Sequence, residues 1–391
     1  MFARAITPTL LKTVNTFPIT MLTGPRQSGK TTLLKNQFPD FSYINLEAPD
    51  ILLRIQADPR GFLFSNEKKW IIDEAQHFPE LFSYLQEYLD QHPKVGHFIL
   101  SGSQNFLLNE QISQSLAGRV GILELLPLSY SEYLSNPASH PMTLWQFLYH
   151  GTYPRPYQEH LDLSIWYNSY IRTYIERDVR NQLQVRDLSK FQLFLKLCAG
   201  RHGQILNLSS LANDCGISQT TATEWMSILE ANYIVYRLRP HFQNFNKRLI
   251  KNPKLYFYDT AIVCQLLGIE TPEHLEVHSH RGAIFEGFVL TEIIKMYIFK
   301  GKIPAFYFWR DHLGTEVDAL IEKGENFLAL EIKSSATFDP ALLNELKKWL
   351  KIAKEKCHYS GLIYGGEESF KFDGMDIIAW NKCAEFLFEK I

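Results

Sequence analysis

P-I-T-M-L-T-G-P-R-Q-S-G-K-T-T, residues Pro18 to Thr32, is the stretch on which the reading of this chain turns. A short apolar run, Ile19, Met21 and Leu22, leads into Gly24; Pro25, Arg26, Gln27 and Ser28 follow, and then Gly29, Lys30, Thr31 and Thr32 open a segment with Leu33 and Leu34 at helical spacing. Strand, glycine-bounded loop and helix in that order give a phosphate-binding loop its context. Successive backbone N–H groups must curl around an anion there, and glycine alone lets the chain come so close without a Cβ clash. Gly24 to Thr32 are therefore the expected cradle. Lys30 reaches the outer phosphates, the Thr31 hydroxyl is an expected Mg²⁺ ligand, and the helix points its positive end at the anion.

The whole chain has 391 residues, 46% of them hydrophobic, and at about 100 to 200 residues per domain it holds two to four domains. Its net charge of -2 excludes a global field for nucleic acid, so any such contact rests on local basic faces. Five scattered cysteines, none in a C-x-x-C pair, argue against a disulfide framework and a zinc site and for a reduced, cytoplasmic protein. No apolar run approaches a membrane span, so no membrane partner is expected. There is no internal repeat.

Strand and helix signals alternate after the loop. Tyr43 to Leu46 reads as a strand, and Lys69 to Glu74 (K-W-I-I-D-E) as a buried one ending in two carboxylates. Asp73 suits a residue that holds Mg²⁺, while Glu74 can face the γ-phosphate and polarise the attacking water. Pro79 to Gln91 is an amphipathic helix and Val95 to Ser101 a further strand, ending in S-G-S-Q. Ser103 or Gln104 would sit beside the γ-phosphate and sense it, a polar turn being the plain alternative. A helix over Phe106 to Ala117 and a strand over Val120 to Leu125 complete a parallel sheet with ligand at its carboxyl ends. Arg119 is the basic residue best placed to stabilise transition-state charge, with Arg155, Arg172, Arg177 and Arg180 as competitors and a surface salt bridge as the alternative.

G-P-R-Q-S-G-K-T, I-I-D-E-A-Q, L-S-G-S and S-L-A-G-R occur in this order, and the first third of the chain thereby resembles the AAA-type ATPases of the archaeal-ATPase-like group. The resemblance implies ATP as the nucleotide and ATP hydrolysis as the activity. It gives residues 1–135 as an AAA-type P-loop domain.

Residues 136–188 turn helical and aromatic and read as a lid. Trp145, Phe147 and Leu148 precede the break G-T-Y-P-R-P, and Trp166, Tyr170, Ile171, Tyr174 and Ile175 recur at core-helix spacing. Residues 189–265 read as a winged helix-turn-helix: a helix over Phe191 to Ala199, one capped by Ser209, a turn at Cys215 and Gly216, and a helix capped by Ser218, followed by strands Tyr233 to Leu238 and Leu255 to Tyr258. If it reads duplex DNA, Gln219, Thr220, Thr221 and Thr223 face the groove, and Lys247, Arg248, Lys251 and Lys254 touch phosphates.

Residues 266–391 carry a second chemistry. A helix over Ala283 to Met296 contains Glu286, and T-E-V-D-A-L-I-E-K-G-E-N-F-L-A-L-E-I-K is a hairpin turning near Gly324. Asp318 lies in its first strand; Glu331 and Lys333, two apart, share one face of the second. Glu286, Asp318 and Glu331 are expected to hold Mg²⁺, with Lys333 orienting water or steadying pentavalent charge. A helix over Pro340 to Glu355 and a strand over Ser360 to Tyr364 complete an α-β-β-β-α-β core. Through R-G-A-I-F-E-G-F, F-W-R-D-H-L-G-T-E-V-D and L-E-I-K it resembles the PD-(D/E)xK nuclease superfamily and the domain of unknown function that follows this ATPase type. The fold class is thus α/β, a P-loop sheet followed by a lid, a winged helix and a restriction-endonuclease-like domain. Two functions stay open: an ATPase acting on DNA through a Mg²⁺-dependent cutting domain, or an ATP-controlled interaction protein whose last domain binds without cutting. Ring, dimer and monomer are equally open.

Overall fold

The first five strands are short, and most pair with neighbours remote in sequence. The computed structural model describes residues 2–64, 68–92, 94–103, 116–175, 187–241 and 251–391. β1 (Ile19–Thr23), β2 (Ser42–Asn45), β3 (Trp70–Asp73), β4 (Phe98–Gly102) and β5 (Val120–Glu124) form one parallel sheet in the order β2-β3-β4-β1-β5. Successive side chains point to opposite faces. Ile19, Met21, Ile72, Phe98 and Leu100 enter one core, and Leu22, Ile71 and Ile99 the other. Helices α1 (Thr7–Val14) and α2 (Lys30–Gln37) bring Leu10, Val14, Leu33 and Leu34 to the second core. α3 (Pro49–Ala57), α4 (Pro59–Phe64) and α5 (Leu81–Gln91) bring Ile55, Leu63 and Leu85 to the first. Burial on both faces is why the three central strands, β3, β4 and β1, read as largely apolar runs. The expected helix Phe106–Ala117 lies outside the described residues except for Leu116 and Ala117, which lead into a turn.

From β5 the chain passes into α6 (Tyr130–Leu134), α7 (Leu144–His150), α8 (Pro154–Glu159) and α9 (Leu163–Tyr170), the last continuing as a π-helical turn over Ile171–Ile175. Two capping boxes, Ser129 with Glu132 and Thr143 with Gln146, fix the starts of α6 and α7. Phe147, Leu148, Trp166, Tyr170 and Ile171 are buried as their spacing predicts. Three helices follow: α10 (Leu188–Gly200), α11 (Leu208–Cys215) and α12 (Gln219–Ala231). Ser218 caps α12, but α11 is capped by Asn207, whose side chain accepts from Ser210 N at 3.0 Å. Asparagine is as good a cap as serine, so the helix begins two residues earlier than Ser209 would allow. β6 (Val235–Leu238) and β7 (Lys254–Phe257) pair antiparallel as a two-stranded sheet.

α13 (Thr260–Leu267) and α14 (Pro272–Val277) pack back on α7. The expected boundary between residues 265 and 266 therefore falls inside a helix, one that Asp259 caps through Ala261 N and Ile262 N. α15 (Arg281–Phe299) is buried on every side from Gly287 to Phe299, as an apolar helix at the centre of a molecule is. Behind it lie β8 (Phe306–Arg310), β9 (Glu316–Lys323), β10 (Asn326–Lys333), α16 (Asn344–Ala353), β11 (Cys357–Tyr364), β12 (Phe370–Phe372), β13 (Met375–Ala379) and α17 (Cys383–Lys390). Their sheet runs β12-β13-β11-β10-β9-β8, with β8, β9 and β10 an antiparallel meander and β11 joined in parallel to β10 through α16. One apolar cluster extends from Phe2 to Ile391, so the units share a core. The five cysteines form no disulfide. Among the described residues no helix is long and apolar enough to cross a membrane.

Candidate functional site

β1, β3 and β4 end side by side, and the register sets Thr23 against Gly102 and Asn45 against Asp73. Beyond Thr23 the backbone turns through Gly24, whose φ is +145° and whose absent Cβ would lie 2.2 Å from the Leu125 carbonyl oxygen. No other residue fits there. Gly29, at φ +97°, begins α2, so the loop's amides and the helix's free N–H groups converge. Arg4 buttresses the loop from below: it donates to Ser28 O at 2.7 Å and Leu126 O at 2.6 Å and pairs with Glu132 at 3.1 Å. A lone arginine near the start of the chain gives no sequence signal of this role.

Thr31 donates to Asp73 Oδ2 at 2.6 Å, Tyr43 donates to the same oxygen at 2.9 Å, and Ser101 donates to Oδ1. The two residues expected to hold Mg²⁺ are thus in contact, and their oxygens are the donors a hard cation takes. The Ser28 hydroxyl of the loop is buried without a hydrogen-bond partner, which fits a loop whose donors are meant for an anion. Lys30 is 6% exposed and donates to Gly24 O and Pro25 O, both at 2.9 Å. Burial pushes its ammonium down to about 8, against the pull of Glu74 and Asp73. Glu74 takes a left-handed φ of +56°, and its Oε2 accepts from Gln76 and, at 3.4 Å, from Ser103. Gln104 lies outside the described residues.

A cavity of about 410 Å³ opens over these groups, lined by Arg26, Lys30, Thr31, Glu74 and Arg155 among others. A second, of about 670 Å³, adjoins it at Thr32 and Gln158 and is walled by Phe2, Met142, His150 and Tyr157. His150 stacks on Tyr157 at 5.9 Å, and burial lowers its pKa, which keeps the ring neutral. Arg119 is a correction. It precedes Val120, which pairs with Ile19, so it lies at the amino-terminal end of the parallel strands, the far end of the sheet from the loop. There it pairs with Asp90. Arg155, paired with Glu159 at 3.1 Å, lines the cavity instead. Arg172 is exposed on the π-helical turn, and Arg177 and Arg180 lie outside the described residues.

The second constellation forms where α15, β9 and β10 meet. Glu286, Glu316 and Asp318 bring carboxylate oxygens within 4.8 Å of one another. Asp318 Oδ2 accepts from Ile332 N at 2.8 Å and lies 3.3 Å from Lys333 Nζ, which also meets Glu331 at 2.6 Å. Glu331 is 2% exposed; burial and then Asp318 push its carboxyl up to about 9, against Lys333. Its Oε2 has no hydrogen-bond partner. Glu316 is the member that sequence reasoning passed over, although it stands two residues before Asp318 on the same face of β9. Lys254 is a second correction. Rather than facing solvent for a phosphate, it is 4% exposed and bonds to Glu286 at 2.9 Å and to Glu316. Burial opposes that charge, but Glu286, Asp318 and Glu316 hold its pKa above the ordinary lysine value. Lys251 is exposed, and Lys247 and Arg248 lie outside the described residues.

Strand order, loop and the Thr31–Asp73 contact define an α/β protein with a P-loop NTPase-like parallel sheet at its amino-terminal end, and residues 16–134 match the family model of an AAA domain. Residues 142–273 and 281–383 match two domains of unknown function, DUF8612 and DUF4143. The chain belongs to the family of the uncharacterized proteins Rv2008c of Mycobacterium tuberculosis and Mb2031c of Mycobacterium bovis: it is 31% identical to each over 367 residues, 92% of this chain and 79% of theirs. Among solved structures, the Walker-type ATPase PABY2304 of Pyrococcus abyssi is 14% identical, with a TM-score of 0.46 over 68% of this chain and 96% of that one.

Proposed function

We propose that this protein binds and hydrolyses ATP at the head of α2, and that its nucleotide state is passed to a DNA-contacting winged helix made of α10–α12, β6 and β7 and to a nuclease-like carboxylate site. The observation that carries the first part is the contact of Thr31 with Asp73, with Glu74 beside it over an open cavity. Thr31 and Asp73 would hold Mg²⁺, which when bound neutralises charge across the phosphate oxygens. Lys30 supplies the fixed cation for the outer phosphates. Glu74 takes a proton from the attacking water, with Ser103 and Gln76 orienting its carboxylate. The adjoining cavity, with its neutral His150 stacked on Tyr157, takes the base and ribose. Arg155 is the arginine of this chain placed to stabilise developing charge. Arg119 meets a nucleotide only from a neighbouring subunit, which makes its role a test of homo-oligomer formation.

The exposed Gln219, Thr220 and Thr223 at the start of α12 support duplex contact, while the loss of Lys254 from the basic set weakens it. Glu286 and Asp318, with Glu316 beside them and Glu331 on the neighbouring strand, would hold Mg²⁺ for phosphodiester cleavage, with Lys333 at the developing charge. A non-cutting, ATP-controlled interaction protein is the second reading, and the Lys254 ammonium among the carboxylates favours it. An ATPase assay with and without duplex DNA, run beside a Mg²⁺-dependent cleavage gel, decides: cleavage by wild type and not by Asp318→Ala supports the first reading. Intact DNA together with ATP turnover indifferent to DNA supports the second. Absence of ATP turnover or retention in either buffer removes both.

A further inference from the structure

The carboxylates of the C-terminal unit already hold a cation, and it comes from another unit. Glu286 belongs to α15 and Glu316 and Asp318 to β9, whereas Lys254 opens β7 in the two-stranded sheet that precedes them. Its Nζ touches Glu286 Oε1 at 2.9 Å and Glu316 Oε1, and it lies 5.4 Å above the Phe308 ring, which shields it from water on that side. Arg310 meets the other oxygen of Glu316 at 3.1 Å, and Lys333 meets Asp318 at 3.3 Å. Each of the three acids is therefore paired. A hard divalent cation takes oxygen ligands at about 2.0–2.6 Å, so it needs the lone pairs that the ammonium now occupies. Two cations sharing those oxygens away from water repel strongly.

We infer that Lys254 is a built-in counter-ion that closes this carboxylate cluster to divalent cations, and that the cluster takes Mg²⁺ or Mn²⁺ only when β7 withdraws the ammonium. The inference rests on the nuclease-like reading of the carboxylates and adds its regulation. β7 is suited to the task. Tyr256, two residues on and on the same face, donates to Glu286 as well, so the strand holds one carboxylate at two points and releases both by one displacement. β7 pairs with β6 in a two-stranded sheet and on its other edge with the turn at residues 203–206, where Gly203 N donates to Leu255 O at 2.8 Å, and Tyr233, leading into β6, bonds to Thr23 at 2.9 Å, next to Gly24 of the phosphate loop. A shift at the loop thus has a physical handle on the latch.

Mn²⁺ titration of the full-length protein without nucleotide, followed by the EPR signal of the free ion, tests this. In wild type no site sensitive to Asp318→Asn is expected below millimolar Mn²⁺. Lys254→Met is expected to gain one site at least tenfold tighter, lost again in the Lys254→Met/Asp318→Asn double variant, and to gain thermal stability from Mn²⁺ that wild type does not. Should Lys254→Met not fold, Lys254→Gln, whose amide still reaches Glu286 without charge, is read in the same way. A wild-type site as tight as that of the variants and lost with Asp318→Asn overturns the latch and leaves the carboxylates as metal ligands. A folded Lys254 variant that gains no site overturns the latch and the metal reading together.

Discussion

Lys30 keeps its charge in a place that resists it, and its pH response follows. Burial places its folded-state value at about 8, below the 10.5 of an exposed lysine. Between these values the unfolded chain carries the proton and the folded one does not, so this group makes the folded state gain stability as pH rises through that window. Phosphate binding demands the ammonium. Nucleotide affinity is therefore expected to fall above pH 8, by up to about tenfold per pH unit, with proton uptake that calorimetry in two buffers of unlike ionisation heat detects. A flat profile with no uptake would show that the ammonium is not the phosphate ligand. Glu74→Gln is expected to retain ATP while turnover drops by roughly 10²–10⁴-fold, as for loss of a general base. Unchanged turnover would remove Glu74 from its role. Arg155→Ala should cost about 10³-fold at any protein concentration. Arg119→Ala should do so only in an oligomer, where mixing it with Lys30→Ala restores part of the rate.

At the scale of elements, what the sequence disclosed and what it hid divide by distance along the chain. The loop, Asp73 and Glu74 were legible because strand–loop–helix and a strand ending in two acids are local patterns. Glu286, Asp318, Glu331 and Lys333 could be set near one another because helix, hairpin and face periodicity are local too, whereas Glu316, whose carboxylate joins those of Glu286 and Asp318, was not singled out. Lys254 and Arg119 were misplaced because each position depends on a contact remote in sequence: one is drawn inward by Glu286 and Glu316, the other set at the amino-terminal end of the sheet by the parallel pairing of Val120 with Ile19. Arg4 was invisible for the same reason. Tyr233 shows the cost of such a contact. Its hydroxyl joins β6 to Thr23 and, at 3.2 Å, to Glu124, whose carboxyl burial raises and this bond partly lowers. Tyr233→Phe leaves Glu124 without that donor, and a loss of about 1–3 kcal/mol is expected in urea unfolding. A change below a few tenths would mean that water or a neighbour replaces the hydroxyl.

For the whole molecule, α15 is the shared axis. Within it Glu292 and Lys295 pair at 3.0 Å with almost no exposure, Glu292 accepts from Tyr130 N, and Lys295 donates to Leu128 O. Removing one charge strands the other, so Lys295→Met is expected to cost about 3–5 kcal/mol, and Glu292→Gln/Lys295→Met to recover most of it. Because the contact bridges the first and last units, both should melt together in calorimetry. Two separate transitions would show that the units stand alone. The same axis has a consequence for biosynthesis. Translation at about 5–20 residues per second delivers residues 281–299 on the order of ten seconds or more after the first sheet has left the ribosome. During that interval Leu128 and Tyr130, buried in the finished fold, lack the partners that the axis brings them.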